Sequence, residues 1–339
     1  MAAMAGALLL AGCVRQLDLA PKADDKIIGF SAGSRLLRDD ATKGGTPKDG
    51  TTFSNGDSFF VYGAKVVSDA HQQIFSGDEV SFDGSTWSYT PLRFWDSNAS
   101  RYDFIAFSGP ASNEGISFNI PAHIHADLSA MVTYDATGTQ CDLMTACYHR
   151  SNGSTDPVDF EFKHMLSAVS VTIYNDSPVQ DITLNSYRFR YLCTHATAYV
   201  EQDLSNPIIP EDWFSPSYNT NLVLGSATGS NLAHGGSHYP ASASYDLMIP
   251  QELDLLGVYI PRLVLDYSYD PGTGSEHVVT AIRLQDIKVK NSEEEYITRW
   301  LPGVRYNYEI HIRVGGGIRV VVSTTDWEDV YAQTPGLAI

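Results

Sequence analysis

Cysteine is scarce in this chain, with four among 339 residues, at positions 13, 141, 147 and 193. They form no CxxC pair and no zinc-finger spacing, which argues against a disulfide-stapled scaffold and against a structural zinc site. In an exported protein Cys141 and Cys147 could bridge; buried thiols are the simpler reading. Basic residues are also in short supply. Lys and Arg number 22 against 40 Asp and Glu, a formal net charge of −18 spread along the chain. Such a chain offers no basic face to a phosphate backbone, so nucleic acid is excluded as a partner. Long apolar runs are missing as well. Met1 to Gly12 supplies about a dozen apolar or small residues where a spanning helix needs roughly 20.

Catalytic signatures are absent too. No GxSxG, HExxH or Walker loop occurs, and the glycine runs Gly225 to Gly229 and Gly315 to Gly317 lack the lysine or strand-to-helix context of a phosphate cradle. With 40 acids in the chain, any chosen pair of carboxylates is uninformative. Asp24–Asp25, Asp39–Asp40 and Glu293 to Glu295 read as solvated turns. His123 and His125 share one strand face, and His234 and His238 share a Gly/Ser-rich loop, but neither pair has a third ligand at a recognised spacing. His164, at the entrance to an apolar strand, reads as a structural hydrogen-bonding residue. The sequence points to no enzyme, no cofactor and no metal.

What is abundant is strand material. The chain holds 19 Tyr, 14 Phe and 27 Gly, with little of the Ala/Leu/Glu/Lys-rich sequence that long helices favour. Lys26 to Phe30 opens the pattern. Asn55-Gly56-Asp57 is a turn before the strand Ser58 to Tyr62, and Thr86 to Thr90 alternates until Pro91 interrupts. In Tyr102 to Phe107, the residues Tyr102, Phe104 and Ala106 share one face with Asp103 on the other. Val169, Val171 and Ile173 line a further strand, and Leu263, Leu265, Tyr267 and Tyr269 another. In Val304 to Val314, one face carries Val304, Tyr306, Tyr308, Ile310, Ile312 and Val314, while Arg305, Asn307, Glu309, His311 and Arg313 face water. Gly315 to Gly317 then turns the chain into Ile318 to Val322, which predicts a hairpin. Helices near Ala126 to Thr133 or Ile208 to Trp213 would be short. Trp87, Trp95, Trp213, Trp300 and Trp327 offer stacking surfaces for sugars, yet in a sandwich such rings belong more often to the core. The polar stretch Arg150 to Pro157 marks a boundary. The expected fold is all-β, two tandem β-sandwiches over 26–152 and 153–339, preceded by a leader over 1–12 and a flexible tether over 13–25.

The leader ends in Leu10-Ala11-Gly12-Cys13, which resembles a bacterial lipobox, although no Lys or Arg precedes its apolar run. The resemblance implies cleavage before Cys13 and acylation of its thiol, with several acyl chains anchoring the protein to a membrane firmly.

Further along, several short patterns occur in order. They are Phe53-x-x-Gly56-Asp57-x-Phe59-x-Val61-Tyr62-Gly63, Trp87-x-Tyr89-x-Pro91, Phe160-x-Phe162-x-His164-x-Leu166-Ser167-Ala168-Val169, Leu247-Met248-Ile249-Pro250-Gln251 and Trp300-x-Pro302-Gly303-x-x-Tyr306-x-Tyr308. A final piece is Val322-x-x-x-Asp326-Trp327. Together they resemble the fimbrillin family of Gram-negative anaerobes. The resemblance implies transthyretin-like, Greek-key sandwiches and a lipoprotein precursor at the outer membrane and cell surface. An Arg-specific protease would remove the first strand, and the open groove would accept a strand from another fimbrial subunit. On this chain the removable strand is Lys26 to Gly33, and Arg35 or Arg38 is the cleavage point. The tail Glu328 to Ile339 carries Pro335, which removes a backbone donor, and this favours a tip, accessory or anchoring subunit over a shaft subunit. The alternative is a surface lipoprotein that binds glycans. Host or bacterial surface ligands are further expected partners.

Overall fold

The computed structural model describes residues 26–33, 55–108, 116–119, 130–138, 142–151, 155–200, 213–219, 222, 229–239, 245–255, 257, 259–290, 292 and 294–326. Among them regular structure is strand, apart from one 3-10 turn at Leu284–Asp286. The all-β expectation holds. The short helices expected near 126–133 and 208–213 do not appear in their described parts, because Ala130–Asp135 and Trp213–Asn219 both pair as strands with Leu192–Val200.

Alternating aromatic and β-branched residues build the first sheet. Its strands lie in the order Lys163–His164, Met144–Ser151, Arg101–Ser108, Ser58–Val67, Ala70–Phe82 and Trp87–Ser88, each pair antiparallel. The turn at Asn55–Asp57 is present, with Gly56 at φ 95°. Between Ser58–Val67 and Ala70–Phe82 the chain reverses on Ser68 and Asp69, at φ 50° and 63°. Positive φ at both loop positions matches a two-residue hairpin turn to the right-handed twist of its strands.

Arg101–Ser108 is the middle of this sheet, and both of its faces are covered. Tyr102, Phe104 and Ala106 enter one core with Phe59, Val61 and Phe75, while Ile105 and Phe107 enter a second. Asp103 lies on the face opposite Tyr102, as its alternation predicts, and is 1% exposed because the second core lies over that face. A buried carboxylate needs partners. Arg101 Nε–H donates to one oxygen at 2.6 Å and His149 Nδ1 lies 2.5 Å from the other.

Three further sheets enclose the second core. In one, Ser167–Asn175 runs parallel to Val304–Arg313, which forms the expected hairpin with Gly317–Asp326. The second sets Ile182–Arg190 beside Arg262–Tyr269, with Glu276–Arg283 at one edge. The third sets Leu192–Val200 between Trp213–Asn219 and Ala130–Asp135. Tyr306, Tyr308, Ile310 and Ile312 are buried, as their alternation predicts. Arg305 departs from it. Expected in water, it is 5% exposed, with its guanidinium 5.4 Å from the ring centroid of Tyr245. Trp95, Trp213 and Trp300 are buried, and Trp87 packs on the first core, so the described tryptophans belong to the interior. Trp300 Nε1–H donates to the Tyr308 hydroxyl at 2.9 Å, and burial raises the Tyr308 phenol well above its ordinary value.

Hydrogen-bonded pairing crosses residues 152 and 153. Phe30–Gly33 pairs with Val158–Glu161, Met144–Ser151 with Lys163–His164, and Ala130–Asp135 with Leu192–Val200.

Gly63 marks the tightest spot in the first sheet, since a Cβ there would sit 2.7 Å from Phe104 Cδ1 and 3.2 Å from Phe75 Cδ2. Overpacking of this kind costs about 1–3 kcal/mol. Gly63→Ala is therefore expected to lower the denaturant midpoint with little change in the slope of the transition, and an unchanged midpoint would show that the rings can move aside.

Candidate functional site: the groove that holds the first strand

From Ile27 to Ser31 outward and inward residues alternate, and the structure uses that alternation. Ile28 is 0% exposed, Phe30 8% and Ile27 47%. The segment changes partner along its length. Near its start, Trp95 N–H donates to the Lys26 carbonyl and Ile28 N–H donates to the Arg93 carbonyl, each at 2.9 Å. The Tyr89 hydroxyl donates to the Ile28 carbonyl at 2.8 Å, and burial raises that phenol. Further on, Val158 N–H donates to the Gly29 carbonyl at 2.8 Å. Phe30–Gly33 then runs parallel to Val158–Glu161, with Phe30 opposite Val158. Ser31 Oγ–H donates to Asp159 Oδ1 at 2.8 Å.

The Phe30 ring fills the groove. Its centroid lies 5.4 to 6.3 Å from those of Phe59, Phe75, Tyr89, Phe104 and Phe160. Four of these contacts are edge-on and the one with Phe160 is stacked, the arrangements that ring quadrupoles favour. Charges brace the outer wall. Arg93 Nε–H donates to the Ile74 carbonyl at 2.9 Å, and Lys65 Nζ sits 2.6 Å from Asp96 Oδ2. The Lys65 ammonium, helped by the Asn98 amide, holds the Asp96 carboxyl below its ordinary range. Chemically this is a socket for an extended segment: removing Lys26 to Gly33 would expose five aromatic rings together with backbone groups of Arg93, Trp95 and Val158.

The other residues singled out from the sequence are scattered. Cys13, Arg35, Arg38, His123, His125, Cys141 and Trp327 lie outside the described residues. Cys193 is buried, and burial pushes its thiol up to about 11. His164 makes the expected structural bond, its Nδ1 2.9 Å from Asp142 Oδ1, with both side chains almost wholly buried. His234 Nδ1 instead meets Asp181 Oδ1 at 2.7 Å on the surface. Among the described residues no three His, Cys, Asp or Glu side chains converge as a metal site, and no helix is long and apolar enough to cross a membrane. Sequence reasoning missed Val158 and Tyr89 as partners of the first strand. The inward alternation of Val158, Phe160 and Phe162 was the available signal for Val158, but nothing local tells a strand which distant neighbour it meets.

The layered all-β architecture is shared with a fimbrial protein from Bacteroides vulgatus ATCC 8482, which is 14% identical over 89% of this chain and 99% of that one, with a TM-score of 0.57. Weaker likenesses extend to two proteins of Porphyromonas gingivalis. A fimbrilin from strain W83 is 10% identical over 89% of this chain and 96% of that one, TM-score 0.41. The C-terminally truncated tip fimbrial protein Mfa3 is 13% identical over 81% and 95%, TM-score 0.38. No curated protein matches the chain. The class defined by the fold is thus that of all-β proteins built from several packed sheets. Within that class, residues 43–327 match the fimbrillin-like family, and the chain belongs to it.

Two substitutions test the socket. Tyr89→Phe deletes the bond to the Ile28 carbonyl and should cost about 0.5–1.5 kcal/mol. Phe30→Ala empties the groove and should cost about 3–5 kcal/mol. Both should speed amide exchange at Val158, and an unaltered exchange rate in Phe30→Ala would mean that the first strand contributes nothing to the fold.

Proposed function

We propose that this chain is a cell-surface fimbrial subunit that is exported as a lipoprotein through Cys13. It is cut after Arg35 or Arg38 and joined to its neighbours by replacement of Lys26 to Gly33. Family membership supports a fimbrial structural subunit at the cell surface. The observation that carries the assembly step is the seating of the first strand. Its closing strand pairs along one side with Val158–Glu161, its side chains Ile28 and Phe30 occupy a ring-lined groove, and both arginines follow within a few residues of Gly33.

The physics of the exchange is strand addition. An extended segment from a second subunit re-forms the same backbone bonds and refills the same apolar sockets. Unpaired strand groups beside an empty apolar groove are otherwise a liability that drives association. Before cleavage the subunit fills its own groove and stays monomeric; afterwards the groove is open to one partner strand. The acyl chains on Cys13 hold the precursor at the outer membrane until the cut. Pro335 removes a backbone donor from the segment after Trp327, and this favours a tip, accessory or anchoring position.

Limited trypsin should release the first strand by cutting after Arg35 or Arg38, and the trimmed protein should give ladders on unboiled SDS gels. Because trypsin also cuts after Lys43 and Lys48, the Arg35→Ala, Arg38→Ala double variant is tested with an Arg-specific endoprotease, and it should resist that cut and stay monomeric. A trimmed chain that remains monomeric at high concentration would rule out strand replacement. Separately, metabolic labelling with an alkyne fatty acid should mark the natural chain and leave Cys13→Ser unlabelled; equal labelling of both would exclude Cys13 as the acylated residue.

A further inference from the structure

A second feature lies away from the first strand, on the outer face of the sheet formed by Trp213–Asn219, Leu192–Val200 and Ala130–Asp135. Leu192–Val200 shifts register on both sides of His195, between Cys193 and His195 and again between His195 and Thr197. Irregularities of this kind re-aim side chains and recur beside functional sites. Here the first one is locked from below. Gln251, 7% exposed, accepts the Cys193 amide at 2.8 Å through Oε1, and its Nε2–H groups donate to the carbonyls of Cys193 at 3.2 Å and Ile249 at 3.0 Å. Between the shifts His195 stands opposite Asp135 on one neighbouring strand and Ser217 on the other.

These residues line a cleft of about 500 Å³, with Thr137, Tyr218 and Asn219 completing most of its wall. Asp135 is oriented: its Oδ1 accepts the Thr137 amide at 2.8 Å and the Thr137 hydroxyl at 2.6 Å. From Tyr218, in the wall of the cleft, ring contacts lead to two more tyrosines. Tyr218 and Tyr259, 39% and 54% exposed, stack with centroids 5.9 Å apart and planes 11° from parallel. Tyr191 meets Tyr259 edge-on at 5.9 Å. Tyr191 also sits at φ 63°, a strained conformation for a bulky residue, and its N–H donates to the Asn219 carbonyl at 2.7 Å. Strain held in place beside a cleft is a mark of function.

We propose that this cleft binds a neutral oligosaccharide. A pyranose presents a flat face of C–H groups and a rim of hydroxyls, and the cleft offers the complement of both. The rings of Tyr218 and Tyr259 supply flat apolar surface, and a carboxylate, an imidazole, hydroxyls and an amide supply alternating donors and acceptors. The lining contains no Lys or Arg, Arg190 lies over the Tyr191 ring at 5.5 Å, Asp135 brings a negative charge, and the chain carries −18 overall, so a neutral sugar is favoured over an anionic one. The site uses exposed tyrosines, whereas the described tryptophans belong to the interior, and it is independent of strand replacement.

The test is saturation-transfer NMR on the purified full chain with maltohexaose, cellohexaose, mannohexaose and an N-acetyllactosamine hexasaccharide, and with 3′-sialyllactose as the anionic probe. At least one neutral probe should bind. Tyr218→Ala, Tyr259→Ala and Asp135→Asn should each weaken it by about tenfold or more, while Tyr296→Ala, on an exposed ring elsewhere, should leave it unchanged. Thermal midpoints compare folding, and Tyr259→Ala, a surface truncation, remains informative if Asp135→Asn is unstable. No binding by any neutral probe would overturn the proposal, as would binding that survives both tyrosine truncations or a preference for the sialylated probe. Each of these results leaves the trypsin-and-ladder outcome unaffected.

Discussion

One strand carries two interiors. Arg101–Ser108 sends Phe104 and Ala106 into the aromatic core and Ile105 and Phe107 into the larger core, so adjacent residues on one backbone are tied to different halves of the molecule. Side chains on a strand alternate strictly, and a one-residue slip would exchange every one of them between the two cores. The register with Ser58–Val67 on one side and Met144–Ser151 on the other is therefore fixed from both faces at once. Asp103 follows from the same constraint. It sits on a face that other sheets cover, and it is satisfied by Arg101 and His149 rather than by water.

The first strand depends on that sheet. The aromatic core has Arg101–Ser108 and its neighbours as a floor, and Phe30 closes it together with Phe160. A floor that is itself rigid, because a second core presses on its far side, keeps the groove in shape. This is the physical condition for a socket to take a replacement segment without collapsing: its walls must owe their positions to something other than the occupant. It is the condition that the proposed strand replacement requires.

The outer face of the third sheet follows a different logic. Buried Gln251 substitutes for a strand partner where the ladder of Leu192–Val200 breaks, and the irregular strand it supports displays His195 beside Asp135 and Ser217. Polar groups aimed outward from a break in the ladder, next to stacked tyrosines, make a surface suited to recognition, while the regular parts of the same sheet serve the core.

Local pattern was enough for much of the fold. The alternation in Val304–Arg313 and the glycines after it specified the hairpin with Gly317–Asp326, and the turn at Asn55–Asp57 was equally plain, because each depends on residues close in the chain. The first strand was legible as a strand, and His164 as a hydrogen-bonding residue. Its neighbours were not: the pairing of Phe30 with Val158 joins residues 128 positions apart in sequence, and no local periodicity encodes a partner. Arg305 was misplaced for a related reason. Alternation tells which residues share a face, but only the packing of one sheet against another decides whether that face meets water. The sequence by itself determined an all-β chain, its strong hairpins and the residues free to face inward. Tertiary structure alone decided which strands meet, which charged residues are buried and which aromatic rings remain in solvent, since these depend on contacts between segments that local chemistry leaves unpaired.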